Sequence, residues 1–479
     1  MASDLTTSDE GVPEVPDGLE GHRVLALAIL HAPYAPRRVG EVAFVERGET
    51  WVLGRKGDLG FHRHRPRASS GASPLDDGAI SRRQVELEVA GPDRVQIVNV
   101  GKLPLRVNGR PVDRTTARPG DIIEVGQRLV LLLHRRPREL AGVRDLHPFG
   151  RPDAQGLVGE GPLAWTLRSR IEFVADRVPH VLVHGASGTG KELVAQAVHA
   201  KSGRARGPLI SRNAATIPDS LADAELFGNL KNYPNPGMMD RPGLVGQAHR
   251  GVLFLDEFGE LPIEVQAKLL RVLDSGEYTR LGEAEPRNAD LRLIAATNRD
   301  LSDLKHDLLA RVPLRIPTPR LGDRREDIGL LIHHLMRRMA TEDPALAPSL
   351  FENGDLDGAP RITSRFVATL AAHPYQTEIR ELQMLLWEAL SASSGGPLNL
   401  FEHYRSLVAE PTQAPVGPVD PTSLTKDVLQ AALDRHGGSQ ELAWRELGLS
   451  SRHVLARLVK RHGLRVRGRR GAASASEDE

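Results

Sequence analysis

Three short stretches of this 479-residue chain carry residue types suited to handling a triphosphate. Residues 185–192 read GASGTGKE. Glycines let successive backbone N–H groups curl around phosphate oxygens at a helix N-terminus, and a lysine behind them neutralises the β and γ charges. Gly185, Gly188, Thr189, Gly190 and Lys191 are therefore candidate phosphate contacts. Glu192 stands where the general pattern places a Ser or Thr for magnesium. Further on, the apolar run 251–255 ends in Asp256-Glu257. Asp256 suits magnesium held through water, and Glu257 suits polarising an attacking water. The apolar run 291–296 ends in Thr297-Asn298, a place for a polar side chain, Asn298, that senses a γ-phosphate.

These groups need a scaffold that brings strand ends together. The run 181–184 is a short apolar strand signal, and 193–200 is amphipathic at helical spacing. Strands alternating with helices predict a parallel sheet with ligand at the strand C-terminal ends. The N-terminal part differs. Residues 23–31, 50–54, 84–89, 95–98 and 128–133 are short apolar runs between turn pairs such as Asn108-Gly109 and Pro119-Gly120, which predicts an all-β sandwich. The C-terminal part predicts three short helices over 426–435, 440–447 and 451–461, the last two joined by Gly448-Leu449-Ser450. Residues 420–471 hold 11 Lys or Arg against 5 Asp or Glu, an electrostatic footprint for a nucleic-acid backbone.

Composition narrows the field. Lys plus Arg is 63 and Asp plus Glu is 62, so charge is informative only by segment. The absence of cysteine excludes disulfide scaffolds, thiolate metal sites and a cysteine nucleophile, and it fits a reducing cytoplasm. Aromatics at 4% argue against base-stacking platforms. No apolar run approaches the length of a membrane span, and the acidic first 20 residues have the wrong charge for a signal peptide, so a cytoplasmic location and no membrane partner are expected. The stretch 409–421 has four prolines and few large apolar side chains and reads as a stiff linker; 134–162, rich in Arg, Pro and Gly, reads as a weaker boundary.

GASGTGKE, ELFG (225–228), FLDEFGELPIEVQAKLLRVLDSGEYTRLG (254–282), LIAATNRDL (293–301) and RREDIGLL (324–331) resemble the AAA+ domain of bacterial sigma-54-dependent transcriptional activators over roughly residues 155–405. In that family the phosphate loop itself ends in Lys-Glu, matching Glu192. The resemblance implies ATP and Mg2+ as cofactors. It makes Asn213 the switch partner of Glu257, Asn298 the first sensor and Arg380 the second sensor. Lys305 and Arg311 stand where the family has two arginines that reach the neighbouring subunit, which implies a homo-oligomer, a hexamer in the family. Two departures stand out. The family's Gly-Ala-Phe-Thr-Gly-Ala loop, which grips the sigma factor, is replaced at 232–237 by NYPNPG, with Tyr233, Met238 and Met239 as an alternative apolar tip. The lid motif before Ile379-Arg380 is one residue longer, which implies slow turnover.

Gly54-Arg55, Ser81-Arg82, Asn108-Gly109 and Gly120-Asp121 resemble a forkhead-associated (FHA) domain, which implies phosphothreonine reading by Arg55, Ser81 and Arg82 and a phosphothreonine protein or Ser/Thr kinase as partner. Gln84 replaces that pattern's histidine, the loop 99–104 is altered, and a basic insertion occupies 62–67. Residues 437–464 resemble a Fis-type helix-turn-helix, implying DNA at an upstream activator site, read by Ser451, Arg452, His453 and Arg457 with Lys460 and Arg461 on phosphates.

The expected architecture is multidomain. An all-β FHA-like sandwich spans 22–136. An α/β AAA+ P-loop domain spans 154–325, with a helical lid over 326–408. The linker 409–421 leads to an all-α helix-turn-helix over 422–471. Three functions remain open: an ATP-driven regulator that remodels RNA polymerase with sigma-54, a DNA-bound ATP-binding regulator that does not contact sigma-54, and a phospho-dependent adaptor with a vestigial ATPase.

Overall fold

The computed structural model describes residues 23–400 except 234, 302, 303 and 305, and further along residues 404, 426–435, 444, 447 and 452–462. Contacts divide the chain into two units, Met1–Phe401 and Glu402–Glu479.

The alternating N-terminal runs form two antiparallel sheets. β1 (Arg23–His31), β2 (Val42–Val45), β8 (Leu105–Val107), β9 (Arg110–Pro111), β11 (Ile122–Val125) and β12 (Leu129–Pro137) pair in the order β2-β1-β12-β11-β8-β9. β3 (Thr50–Leu53), β6 (Val85–Gly91), β7 (Arg94–Asn99) and β10 (Arg114–Ala117) pair as β10-β7-β6-β3. β1 and β12 are buried almost throughout, because both of their faces are covered. The Asn108-Gly109 pair takes positive φ at both residues, as a two-residue hairpin between β8 and β9 requires. The basic insertion folds as its own hairpin, β4 (His64–Arg65) with β5 (Ala68–Ser69).

The middle is a parallel sheet in the order β14-β15-β18-β13-β19, made of β13 (Val181–His184), β14 (Leu209–Asn213), β15 (Val252–Asp256), β18 (Arg292–Thr297) and β19 (Leu314–Pro317). A pair of two-residue antiparallel strands, β16 (Glu277–Tyr278) with β17 (Arg287–Asn288), lies outside it. Two apolar layers cover the sheet. One holds Phe254, Ile294 and Val183 against α1 (Pro162–Ala175) and α2 (Lys191–Lys201). The other holds Leu253, Leu255 and Ala295 against α3 (Ala222–Phe227), α4 (Gly243–Gln247), α5 (Ile263–Ser275) and α6 (His306–Arg311). All-buried β18 fits a central parallel strand. The lid follows: α7 (Ile328–Glu342), α8 (Ala347–Leu350), α9 (Ser364–Ala372) and α10 (Glu378–Ala392).

Residues 134–162 are not a loose boundary. They form a seam in which the sandwich packs on the lid. Gly329 of α7 lies so close to the Leu30 carbonyl of β1 that any Cβ there would collide with it. Arg136 of β12 is fully buried and donates to the carbonyls of His64 and Glu160 and to His64 Nδ1. Arg65 of the insertion pairs with buried Glu160 at 2.9 Å and lies over the rings of Phe149 and Trp165. Asp327 then accepts the amides of Glu160 and Gly161, both at 2.8 Å. Segment 324–331 therefore joins the lid to both the seam and the sandwich.

The second unit contains α11 (Lys426–Arg435) and α12 (Arg452–His462), packed through Leu429, Leu433, Leu447, Leu455 and Leu458. The linker 409–421 and most of the expected middle helix lie outside the described residues.

Candidate functional site

Three strand ends build the site. β13 runs into the glycine-rich loop, where Gly185, Gly188 and Gly190 all take positive φ. This conformation is accessible to glycine, and the Gly185 amide donates to the Thr297 carbonyl, tying the loop to the end of β18. Lys191 opens α2 and is buried; its Nζ donates to the carbonyls of Gly185 at 3.2 Å and Ala186 at 3.4 Å. Thr189 Oγ1 bonds both the Ala186 carbonyl and Thr318 Oγ1, tying the loop to the end of β19. Glu192 is exposed.

β15 delivers Asp256 and Glu257. Glu257 has φ 50°, a left-handed conformation unusual for a non-glycine residue and typical of positions held under strain at functional sites. Its carboxylate lies 3.8 Å from Lys191 Nζ and accepts the Asn298 amide at 3.3 Å. The phosphate-loop cation, the acid pair and the sensor strand thus converge. Asp256 Oδ1 accepts the Glu257 amide at 3.0 Å. Asn213 lies opposite Asp256 in the β14–β15 register, but its Oδ1 accepts the Ala215 amide, so Lys191 and Asn298 hold Glu257 here instead.

The lid reaches the same loop. Arg380 Nη1 donates to Ser187 Oγ at 3.0 Å, and the Ile379 amide donates to the Gly188 carbonyl. The extra lid residue is absorbed in a turn. Glu378 takes φ 55°, is buried, and accepts the Leu321 amide at 2.6 Å, while Glu381 accepts the amides of Gln376 and Thr377. Arg380 therefore keeps its contact with the glycine-rich loop. Arg311 lies at the end of α6 with Nε on Asp274 at 2.7 Å and Nη1 on the Asp307 carbonyl. Lys305 lies outside the described residues.

The Transcriptional regulatory protein ZraR of Salmonella typhimurium is 34% identical over 314 residues, covering 64% of this chain and 68% of that protein. The sigma-54 interaction domain family matches residues 157–314. The chain belongs to the family of sigma-54-dependent transcriptional regulators. The Anaerobic nitric oxide reductase transcription regulator NorR of Aeromonas hydrophila is 35% identical over 365 residues, covering 70% of this chain and 69% of that protein. The crystal structure of NtrX from Brucella abortus in complex with ADP is 29% identical, with TM-score 0.46 over 65% of this chain and 70% of that one. Within this sigma-54-dependent regulator, the matched residues 157–314 belong to an AAA+ ATPase domain, and the chain is an ATPase.

The sandwich carries a second cluster. The Arg55 amide donates to the Ser81 carbonyl and the Lys56 amide to the Arg82 carbonyl, placing exposed Arg55 beside exposed Arg82. Ser81 Oγ accepts the Lys102 amide at 3.0 Å. Gln84, where the FHA pattern has histidine, is fully buried. Its Nε2 bonds Asn99 Oδ1 and the Leu103 carbonyl, and its Oε1 accepts the Ser81 and Leu103 amides. The substitution thus supplies the brace between the two loops. The sequence singled out Gln84 as a departure; Lys102 left no signal, because it enters through its backbone amide.

In the second unit, Arg457, Lys460 and Arg461 are exposed on α12 opposite its buried leucines. Arg452 and His453 open that helix, and Ser451 lies outside the described residues. Among the described residues no group of acidic and histidine side chains forms a further metal cluster, and no helix is long and apolar enough to cross a membrane.

Proposed function

We propose that this regulator is a DNA-tethered ATPase whose ring turns over ATP and acts on a transcription complex under the control of a phosphothreonine signal. The reading rests on one observation above all. Lys191, Glu257, Asn298 and Arg380 from four different segments converge on the loop 185–190. In this reading Lys191 and the loop amides hold the phosphates, Glu257 orients the attacking water, and Arg311 reaches the neighbouring protomer's γ-phosphate. The carboxylate of Asp256, with one oxygen not occupied by the Glu257 amide, offers the hard donor that suits Mg2+, which would offset phosphate charge there. Arg55, Ser81 and Arg82 would take the phosphothreonine, and α12 would enter a DNA groove.

A second reading has its own support: an ATPase that works on a partner other than sigma-54. Residues 229–233 and 238–241 are tied to the body of the protein. Asn229 is fully buried and pairs with Arg241 in both directions through the backbone, and its Nδ2 bonds the Leu230 and Met239 carbonyls. The Leu230 amide donates to the Leu281 carbonyl, and the Tyr233 ring covers Gly282. Tyr233 and Met239 are the exposed apolar groups on this short protrusion.

Two measurements test these readings. Glu257→Gln should retain ATP binding while turnover falls roughly 100-fold or more; equal turnover removes Glu257 from catalysis. Capture of sigma-54 by the full chain loaded with an ATP transition-state analogue supports the first reading. Assembly with nucleotide but no capture supports the second.

A further inference from the structure

A cavity of about 430 Å³ lies where the sandwich meets the lid. The sandwich contributes Leu103, Pro104, Arg106, Glu124 and Gln127, and the lid contributes Arg365 from the first turn of α9. Arg365 Nη1 bonds Glu124 Oε1 at 2.7 Å, and Glu124 is buried. The Arg365 guanidinium also packs on the Asn108-Gly109 turn so closely that a Cβ on Gly109 would strike it. Arg106 points its Nη1 to the Gly109 carbonyl, at 3.3 Å. The cleft therefore carries two guanidinium groups against one carboxylate, and that carboxylate is already engaged by Arg365.

The cleft is next to the candidate phosphate site. Leu103, which lines it, directly follows Lys102, whose amide holds Ser81 Oγ, and Gln84 braces both loops from beneath. A peptide whose phosphothreonine sat on Arg55, Ser81 and Arg82 would pass its neighbouring residues over this opening. The volume suits one or two side chains, and the surplus positive charge favours an acidic one.

We propose that the ATPase lid forms part of the phosphopeptide site, with Arg365 and Arg106 together accepting an acidic side chain adjacent to the phosphothreonine. This rests on the phosphothreonine reading above and adds the partner's local sequence and the lid's share in recognising it. Phosphopeptide selection and lid position then become one linked equilibrium, because the same guanidinium belongs to both.

The experiment uses the full chain and fluorescein-labelled phosphothreonine peptides, with each flanking position held in turn as Asp, Leu or Lys and the rest degenerate. Anisotropy should show the best Asp set binding roughly tenfold tighter than its Lys counterpart. Arg365→Ala should reduce that ratio to about two while the Leu set binds as before, with only the preference changing. Arg365→Ala leaves buried Glu124 unpaired, so Arg106→Ala, which does not, is the second variant and should reduce the same ratio. Peptide binding with an Asp-to-Lys ratio unchanged in both variants overturns this proposal alone. Failure of every peptide set to bind, with Arg55→Ala indistinguishable from the parent, overturns the phosphothreonine reading and this proposal with it.

Discussion

At the scale of single residues, the site is organised by how few donors each group leaves free. Lys191 gives two bonds to its own loop and sits beside Glu257, so both are oriented before a phosphate arrives. Arg311 shows the same economy. Asp274 takes only its Nε and Asp307 only one Nη1 hydrogen, and no described residue accepts from Nη2. An exposed pair of this kind contributes about 0–1 kcal/mol to stability, so its effect is on orientation rather than on folding. Asp274→Ala should therefore leave the melting temperature and KM for ATP nearly unchanged while kcat falls about three- to tenfold. Asp274→Glu should recover part of the loss. A steady-state assay above the assembly concentration reads both, and an unchanged kcat in Asp274→Ala would show that Arg311 needs no such support. Neither Asp274 nor Arg365 was visible in the sequence, because each acts through a partner 37 or 241 residues away. The loop 185–192, Asp256-Glu257 and Asn298 were visible, because their spacing is local to one strand end each.

At the scale of elements, the lid motif shows how an inserted residue is accommodated. The segment before Ile379-Arg380 is one residue longer than the family pattern, and that length implies slow turnover. The structure takes up the extra residue at Glu378, which adopts positive φ and turns its carboxylate inward to the Leu321 amide. α10 then starts in register, and Arg380 still meets Ser187. The sequence could not show this, since a positive φ at glutamate is a tertiary requirement that overrides local preference. Glu378→Ala removes the acceptor and leaves a buried amide unsatisfied, at about 1–3 kcal/mol. It should lower the melting temperature and raise KM for ATP more than it lowers kcat, since Arg380 is then less well placed for the bound nucleotide. Thermal denaturation and turnover on one preparation check both, and a stability loss with unchanged KM would separate the turn from nucleotide binding. The β-runs of the sandwich and the strands of the parallel sheet were largely legible from periodicity and turn pairs. The segment 134–162 was not, because its Arg, Pro and Gly content reads as a linker until Arg136, Glu160 and Asp327 are brought together from distant positions.

At the scale of the whole described first unit, the sandwich and the lid share a buried polar seam, and its histidines make stability depend on pH. His31 on β1 and His333 on α7 are both buried, and neither Nε2 has a hydrogen-bond partner. Burial lowers His31 to about 4 and His333 to about 3. His134 falls to about 3, chiefly through burial and then through Arg136, and His64 to about 4 for the same two reasons. Each of these folded-state values lies below the unfolded value near 6.5, so the unfolded chain binds more protons between them. The stabilising contribution is therefore complete above about pH 6.5 and is lost as pH falls toward 4, with a limiting slope of about 1.4 kcal/mol per pH unit for each histidine. Glu326 opposes this, because burial and the neighbouring Asp327 raise its carboxyl and favour the folded state on acidification. Burial also raises the carboxyls of Glu124, Glu160 and Glu378 and lowers His62, His147, His180, His184 and His334, and nine lowered histidines outweigh four raised carboxyls. The melting temperature should fall by several degrees between pH 7.5 and pH 5.5, and His333→Gln, which cannot take up a proton, should flatten that dependence. The sandwich and lid should lose structure together, since Arg136 and Asp327 cannot be exposed on one side of the seam without stranding charge on the other. Calorimetry of the first unit at pH 5.5 should show one shifted transition rather than a sandwich that melts ahead of an unaffected ATPase domain.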